Sequence, residues 1–256
     1  MKLVSLLGMI MLFFSSCQKI MEYYSINNST APASFNCRIK SYASTYFESV
    51  NRTNFQYDIK GNPVQITYFA EWLPNGKATE KLKFDTLGRL TMHQPFIEMG
   101  NWRKYVYEGE SRTPLRDTAT DFLGKKYVES FKSDAAGRII EEEIRWIYSP
   151  PDLEDDFMFE TEVHRYYYDV HGNRQVNPFD YPWHKTLRYT DKPSLYSLHS
   201  AWQIIHRDFS KNSIANISSY NENGLPLTFK QDEFAYWQPF LDLKQNSVVE
   251  YTCMTN

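Results

Sequence analysis

A chain of 256 residues is long enough for one sizeable core, and all-β architectures of this length are commonly a single domain. A net charge of −3 and a pI near 6.1, with no long run of Lys or Arg, leave no electrostatic footprint for nucleic acid and exclude it as an expected partner. Aromatic residues make up 16% of the chain, with 19 Tyr and 17 Phe, which favours pleated sheet over helix.

The N-terminal segment reads as a leader. Lys2 supplies a positive start, Leu3 to Phe14 form an apolar stretch too short to span a bilayer comfortably, and Ser15 and Ser16 precede Cys17. This pattern resembles a bacterial lipoprotein signal over residues 1–16. The resemblance implies cleavage before Cys17, a diacylglyceryl thioether on its sulfur and acylation of the new amino group. Phe14 stands where such signals usually carry Leu, so an ordinary secretory signal is the alternative reading. Acyl chains on Cys17 would hold the protein at a membrane without a spanning segment. Gln18-Lys19 lacks the Asp associated with inner-membrane retention, and no acidic run of the surface-export kind follows. The expected location is the periplasmic face of the outer membrane, with the cell surface as the alternative. Residues 17–34 are polar and unpatterned and read as a tether, which as a flexible coil would average ~20–25 Å end to end. Residues 35–256 are then one domain.

Within that domain an acidic or amide residue, any two residues and a glycine recur between aromatic and β-branched segments. The copies are Asp58 to Gly61, Asp85 to Gly88, Asp134 to Gly137, Asp169 to Gly172 and Asn221 to Gly224. An Asp or Asn at the first position of a type I turn caps the backbone through its side chain, and Gly at the fourth accepts the left-handed conformation that closes a hairpin. The flanks alternate: Ala78, Leu82 and Phe84 oppose Thr79, Lys81 and Lys83, while Ile140, Ile144, Trp146 and Tyr148 oppose Glu141, Glu143 and Arg145. One face is core and the other wet, which argues against a porin-type transmembrane barrel, because outward Lys would lie in hydrocarbon at ~2–4 kcal/mol each near the midplane. Weaker turns are expected at Pro74-Asn75-Gly76, Glu108-Gly109-Glu110 and Thr190 to Pro193. The spacing predicts about 12 to 16 strands in an antiparallel meander, all-β, wide enough to form a large curved sheet or barrel-like shell.

Two stretches interrupt the pattern. Pro150 to Asp156 reads as an acidic loop. From 194 to 209 the period becomes helical, with Leu195, Leu198, Trp202, Ile205 and Phe209 on one side and Asp191 or Ser194 as N-cap, so one short amphipathic helix is expected there.

The segments Tyr57-Asp58-x-x-Gly61-Asn62, Phe84-Asp85-x-x-Gly88-Arg89 and Tyr168-Asp169-x-x-Gly172-Asn173 resemble tyrosine-aspartate (RHS-type) repeats. Across about 37 to 253 the chain is similar to bacterial lipoproteins with a domain of unknown function described as having a porin-like β-sheet. Asn177-Pro178-Phe179, Ser210-Lys211-Asn212 and Tyr220 to Pro226 carry that similarity. It implies a fold and no established activity. RHS toxins use such repeats as a shell around a separate toxin, for which this chain has no room.

No phosphate loop, dinucleotide fingerprint, serine elbow or paired zinc-type cysteines occur, so no cofactor or metal is expected. His164, His171 and His184 match no metal spacing, and Asp152, Glu154, Asp155 and Asp156 lack the spaced ligands and internal Gly of a calcium loop. Catalytic carboxylate pairs need no sequence motif, so that class stays open. Cys37 and Cys253, in the first and last expected strands, are expected to form a disulfide in an exported protein, against the alternative of two buried thiols. Phe179, Tyr181, Trp183 and His184, held by prolines, either plug an end of the sheet or form an aromatic surface for a sugar or protein. The expected function is a lipid-anchored envelope protein, not an enzyme, acting by binding or scaffolding, with an envelope protein or glycan as partner. A carbohydrate- or lipid-binding module and a carboxylate-dependent hydrolase are the alternatives.

Overall fold

The computed structural model describes residues 37–46, 49–71, 73–95, 102–121, 123–148, 161–175, 188–214, 217–229 and 247–253, which lie in one compact unit. The first strands are β1 (Cys37–Tyr46), β2 (Ser49–Tyr57), β3 (Pro63–Phe69), β4 (Lys77–Phe84), β5 (Leu90–Gln94) and β6 (Trp102–Val106). Next come β7 (Arg116–Thr120), β8 (Lys126–Ser133), β9 (Ile139–Tyr148), β10 (Thr161–Arg165), β11 (Tyr167–Tyr168) and β12 (Arg174–Gln175). The last are β13 (Tyr189–Pro193), β14 (Asn212–Ile214), β15 (Ile217–Tyr220), β16 (Pro226–Phe229) and β17 (Ser247–Cys253). Thirteen of them form one antiparallel sheet in which β10 to β1 run in reverse chain order and β17, β16 and β15 continue it; β11–β12 and β13–β14 are separate ribbons. The fold is therefore an all-β antiparallel meander with one short helix.

Alternation sets the two faces. On β4, Ala78, Glu80 and Leu82 are buried while Lys77, Lys81 and Lys83 are exposed. The register of β1 against β17 pairs Cys37 with Cys253, and the two are disulfide-bonded across 216 residues of chain.

The helical segment differs in detail from the expected continuous helix. A 3₁₀ turn, Leu195–Leu198, is capped by the Ser194 hydroxyl accepting from the Tyr196 N–H, and the helix proper, α1 (Ser200–His206), is capped by the His199 ring. Asp191 caps neither: Thr190 to Pro193, expected as a turn, belong to β13, which pairs irregularly with β14. The helix ends where Arg207 adopts the left-handed conformation (φ 52°) and its N–H returns to the carbonyls of Gln203 and Ile204.

This short segment forces the sheet to curl. Trp202 packs edge-on to Phe55 of β2 (5.7 Å between ring centres), while Arg207 binds Glu142 of β9. Those strands are seven spacings apart in the sheet, ~33 Å if it were flat. Five residues of helix cover only ~8 Å. The sheet must therefore wrap around the segment, and the core is the filled interior: Ile39, Phe55, Ile66, Leu82, Val249 and Phe229 from the strands against Leu195, Trp202 and Ile204. Burying Trp202 alone stabilises by ~2–3 kcal/mol.

Candidate functional site

Because consecutive strands run antiparallel, alternate connections fall on opposite rims. The turns 58–61, 85–88 and 134–137 share one rim with the Cys37–Cys253 bridge, and the turns 169–172 and 221–224 join them there. In each of the five, the Gly N–H donates to the carbonyl of the first residue at 2.9–3.1 Å. The residue after Gly completes the turn. The Asn62 backbone and side-chain amides donate to Asp58 at 2.8 and 2.9 Å, while Arg89 and Arg138 donate their Nε to Asp85 and Asp134 at 2.7 Å. Desolvation is the largest single influence and acts upward, but these donors together outweigh it and hold the Asp58 and Asp85 carboxyls below the usual range.

Neighbouring turns also grip one another. Asn223 Nδ2 lies 3.6 Å from Cys37 Sγ, the Arg38 guanidinium covers Gly61, and Gly88 faces Asn62. Arg89 donates to the Gly109 carbonyl at 2.7 Å, and Thr113 Oγ1 donates to the Gly137 carbonyl at 2.5 Å. Arg138 stacks on Tyr168, and Lys211 packs on Gly172. The rim is a continuous belt of interlocked turns.

The second feature is buried inside the curve. Glu80 of β4, Asp117 of β7, Glu129 of β8 and Glu142 of β9 all point inward and are almost wholly buried. Glu80 accepts from Tyr68 Oη at 2.9 Å and is paired with His93 Nε2 at 2.8 Å. The other three converge on Arg207. Its Nε donates to Glu142 at 2.8 Å, its Nη2 to Glu129 at 2.5 Å and to Asp117 at 3.3 Å, and its Nη1 to the Ile204 carbonyl. Arg103 of β6 donates to the same Glu129 and Asp117 oxygens at 2.5 and 3.3 Å and to Tyr127 Oη at 3.1 Å. Tyr166 Oη donates to the free oxygen of Glu142 at 2.5 Å. Arg207 also lies over the Phe131 ring at 4.5 Å.

Three acids meet two guanidiniums here, and titration resolves the mismatch. Burial and the facing Glu129 carboxylate push Asp117 up to about 7, further than the two arginines pull it down. At Glu129 burial acts upward too, but Arg103 and Arg207 outweigh it and hold the carboxyl well below the usual range. Asp117 therefore takes up a proton as pH falls through about 7, while the Glu129 carboxylate stays paired with both guanidiniums. Burial drives His206, beside this cluster at the helix end, down to about 3 and keeps it neutral.

Sequence reasoning missed this cluster, although it left a signal. Glu80 stands between Ala78 and Leu82, Glu129 between Tyr127 and Phe131, and Glu142 between Ile140 and Ile144, so each is a charge at an inward position of an alternating strand. A sixth turn of the same pattern, Asp121 to Gly124, was also missed, and it lies on the opposite rim between β7 and β8. Among the sequence candidates, Asp58, Asp85, Asp134, Asp169 and Asn221 occupy turns on the belt, His171 is exposed on one of them and His164 is exposed on β10. Cys17, Phe179, Tyr181, Trp183 and His184, with Asn177-Pro178 and the acidic stretch 150–156, lie outside the described residues.

No family model matches the chain, and no curated protein matches it. Among solved structures it is similar to a porin-like protein from Bacteroides uniformis, at 10% identity and a TM-score of 0.44, over 86% of this chain and 98% of that one. The fold assignment stands on the strand pairing.

Proposed function

We propose that this protein is a lipid-anchored, non-enzymatic component of the cell envelope, held through Cys17 at the periplasmic face of the outer membrane and acting by binding or scaffolding. The observation that carries the proposal is the Cys37–Cys253 bridge behind a leader-like segment, since such bonds form and persist in oxidising compartments. The repeat belongs, on this reading, to the tyrosine-aspartate type. Tyr57 supports it: it donates its hydroxyl to the Ile39 carbonyl of the neighbouring strand, beneath the stacked Arg38. An envelope protein or glycan is the partner class.

The convergence of Asp117, Glu129 and Glu142 favours a second reading, a carboxylate-dependent hydrolase, because a carboxyl brought near 7 matches proton transfer. Against it, each acid is engaged by a guanidinium, and Asp117 is wholly buried. That arrangement suits a brace between helix and sheet.

Cys17→Ala tests the anchor: the variant should leave the membrane fraction for the soluble periplasm, and unchanged fractionation would refute it. Crosslinking in the native envelope, followed by mass spectrometry, tests the binding role, and recovery of the protein without any crosslinked partner or glycan counts against it.

A further inference from the structure

We infer that the belt of turns is a membrane-facing surface, and that its tips rest in the interface of the bilayer to which the protein is anchored. The inference builds on the proposed lipid anchor and adds an orientation.

Three observations converge on it. The three most exposed large hydrophobic side chains among the described residues are Ile59 (100%), Val170 (85%) and Leu87 (56%). All three occupy the central positions of the Asp-x-x-Gly turns on this rim. Nothing in the turn requires a large aliphatic residue there, since Glu222 and Asn223 fill the same positions of another copy, and a large aliphatic side chain left in water forgoes the gain of burial.

The chain reaches the domain on the same rim. Cys37 opens β1 at the disulfide, beside the turn 221–224, and is followed by Arg38, whose guanidinium covers Gly61. Residues 18–36 can span at most ~65 Å even when fully extended, so an acylated Cys17 would tether the domain by this rim.

The rigidity of the belt also matters. Neighbouring turns are hydrogen-bonded to one another, so the tips enter an interface without losing much freedom. The rim carries both signs of charge, with Lys60 and Arg112 beside Glu108, Glu110 and Glu222 exposed, so attraction rests on the apolar tips and should survive high salt. The outer sheet face presents Lys77, Lys81 and Lys83 to solvent and offers no rival apolar surface on β4.

The opposite rim supplies a matched control. Leu123 takes the same place in the turn Asp121 to Gly124 that Leu87 takes in its own. With Cys17 acylated and Cys37 bonded to Cys253, an introduced cysteine is the only thiol available for labelling.

The full lipidated chain carrying Ile59→Cys, Leu87→Cys, Val170→Cys or Leu123→Cys, each labelled with a polarity-sensitive fluorophore, is reconstituted on phosphatidylethanolamine and phosphatidylglycerol vesicles and floated. Nitroxide lipids should quench the first three labels by about half, at low and high salt alike, and leave the label at 123 unchanged. Far-UV circular dichroism checks folding, and three independent sites keep the test alive should one variant fail to fold. Floated protein with all labels unquenched overturns the orientation and spares the anchor. Labels shielded from water yet unquenched by lipid, on a protein of dimeric mass, show a rim-to-rim contact between copies and overturn it as well. Protein that does not float overturns the anchor, and the orientation with it.

Discussion

Asp117 and Glu129 stand directly opposite each other on adjacent strands, and one nitrogen of Arg207 reaches both, at 3.3 and 2.5 Å. Two carboxylates facing across a ladder repel, and the repulsion is relieved by a proton on Asp117 and by guanidiniums on Glu129. Asp117 is raised from its ordinary 3.8 to about 7. Between those values the folded protein holds a proton that the unfolded chain has released. The stability from this group is therefore fully present below the unfolded value and lost as pH rises through 7. Glu129 acts in the opposite sense, and its contribution fails only in acid, as pH falls toward its lowered folded value. Asp117→Asn removes the proton exchange while keeping the shape. Wild type should lose on the order of 2 kcal/mol more than the variant between pH 5 and 8. Urea unfolding at the two pH values measures it, and equal losses would place the proton elsewhere.

Arg207 joins the helix end to three strands. Replacing it by Ala leaves Glu129 and Glu142 with fewer partners in a buried site, which costs ~3–5 kcal/mol. Its backbone is left-handed, so Arg207→Gly relieves any strain there while deleting the same guanidinium. Both variants should fall by similar amounts in urea unfolding, Gly slightly less than Ala. A nearly neutral Gly variant would mean that the backbone, and not the ion pairs, sets the cost.

The hairpins were legible because Asp, Gly and the alternation of Leu82 with Lys81 and Lys83 act locally, within one turn or one strand. The disulfide followed from Cys37 and Cys253 falling in the first and last strands of an exported chain. The curl was legible only as a need of a wide sheet, since nothing in the sequence says that Trp202 meets Phe55. The Arg207 cluster was hidden for a related reason: Arg207 lies 65 to 90 residues along the chain from the acids it meets, and an inward Glu reads as a wet-face residue until a cation is seen to meet it. The helix was anticipated from its period but drawn too long, because the period does not show where His199 interrupts it.

Glycine is needed at the belt for two separable reasons. Gly61 has φ +92°, and a Cβ there would lie 2.6 Å from the Arg38 guanidinium; Gly109 has φ +50° with nothing within 4 Å. Gly109→Ala should cost only the left-handed penalty, ~1 kcal/mol. Gly61→Ala must in addition displace Arg38 from its stack on Tyr57 and should cost ~2–3 kcal/mol. Thermal unfolding of the pair measures the difference, and equal costs would show that Arg38 moves aside freely.

The Cys37–Cys253 bridge closes 216 residues into one loop, and in the chain-entropy account a loop of that size stabilises by ~5 kcal/mol, with measured values more often 2–4. The bridge is not what sets the register here. β1 and β17 also pair from Ile39 with Tyr251 through Ser44 with Ser247, and Tyr42 is hydrogen-bonded to Ser247 at 2.8 Å. Cys37→Ser with Cys253→Ser should therefore fold to the same strand content by circular dichroism, yet unfold at lower urea by ~2–4 kcal/mol. Asn223→Ala, which removes only a long amide contact to the two sulfurs, should change stability by less than ~0.5 kcal/mol. A double serine variant with wild-type stability would mean that the pairing alone closes the sheet, and one that lost its strand signal would mean that the bridge is needed to bring β17 beside β1.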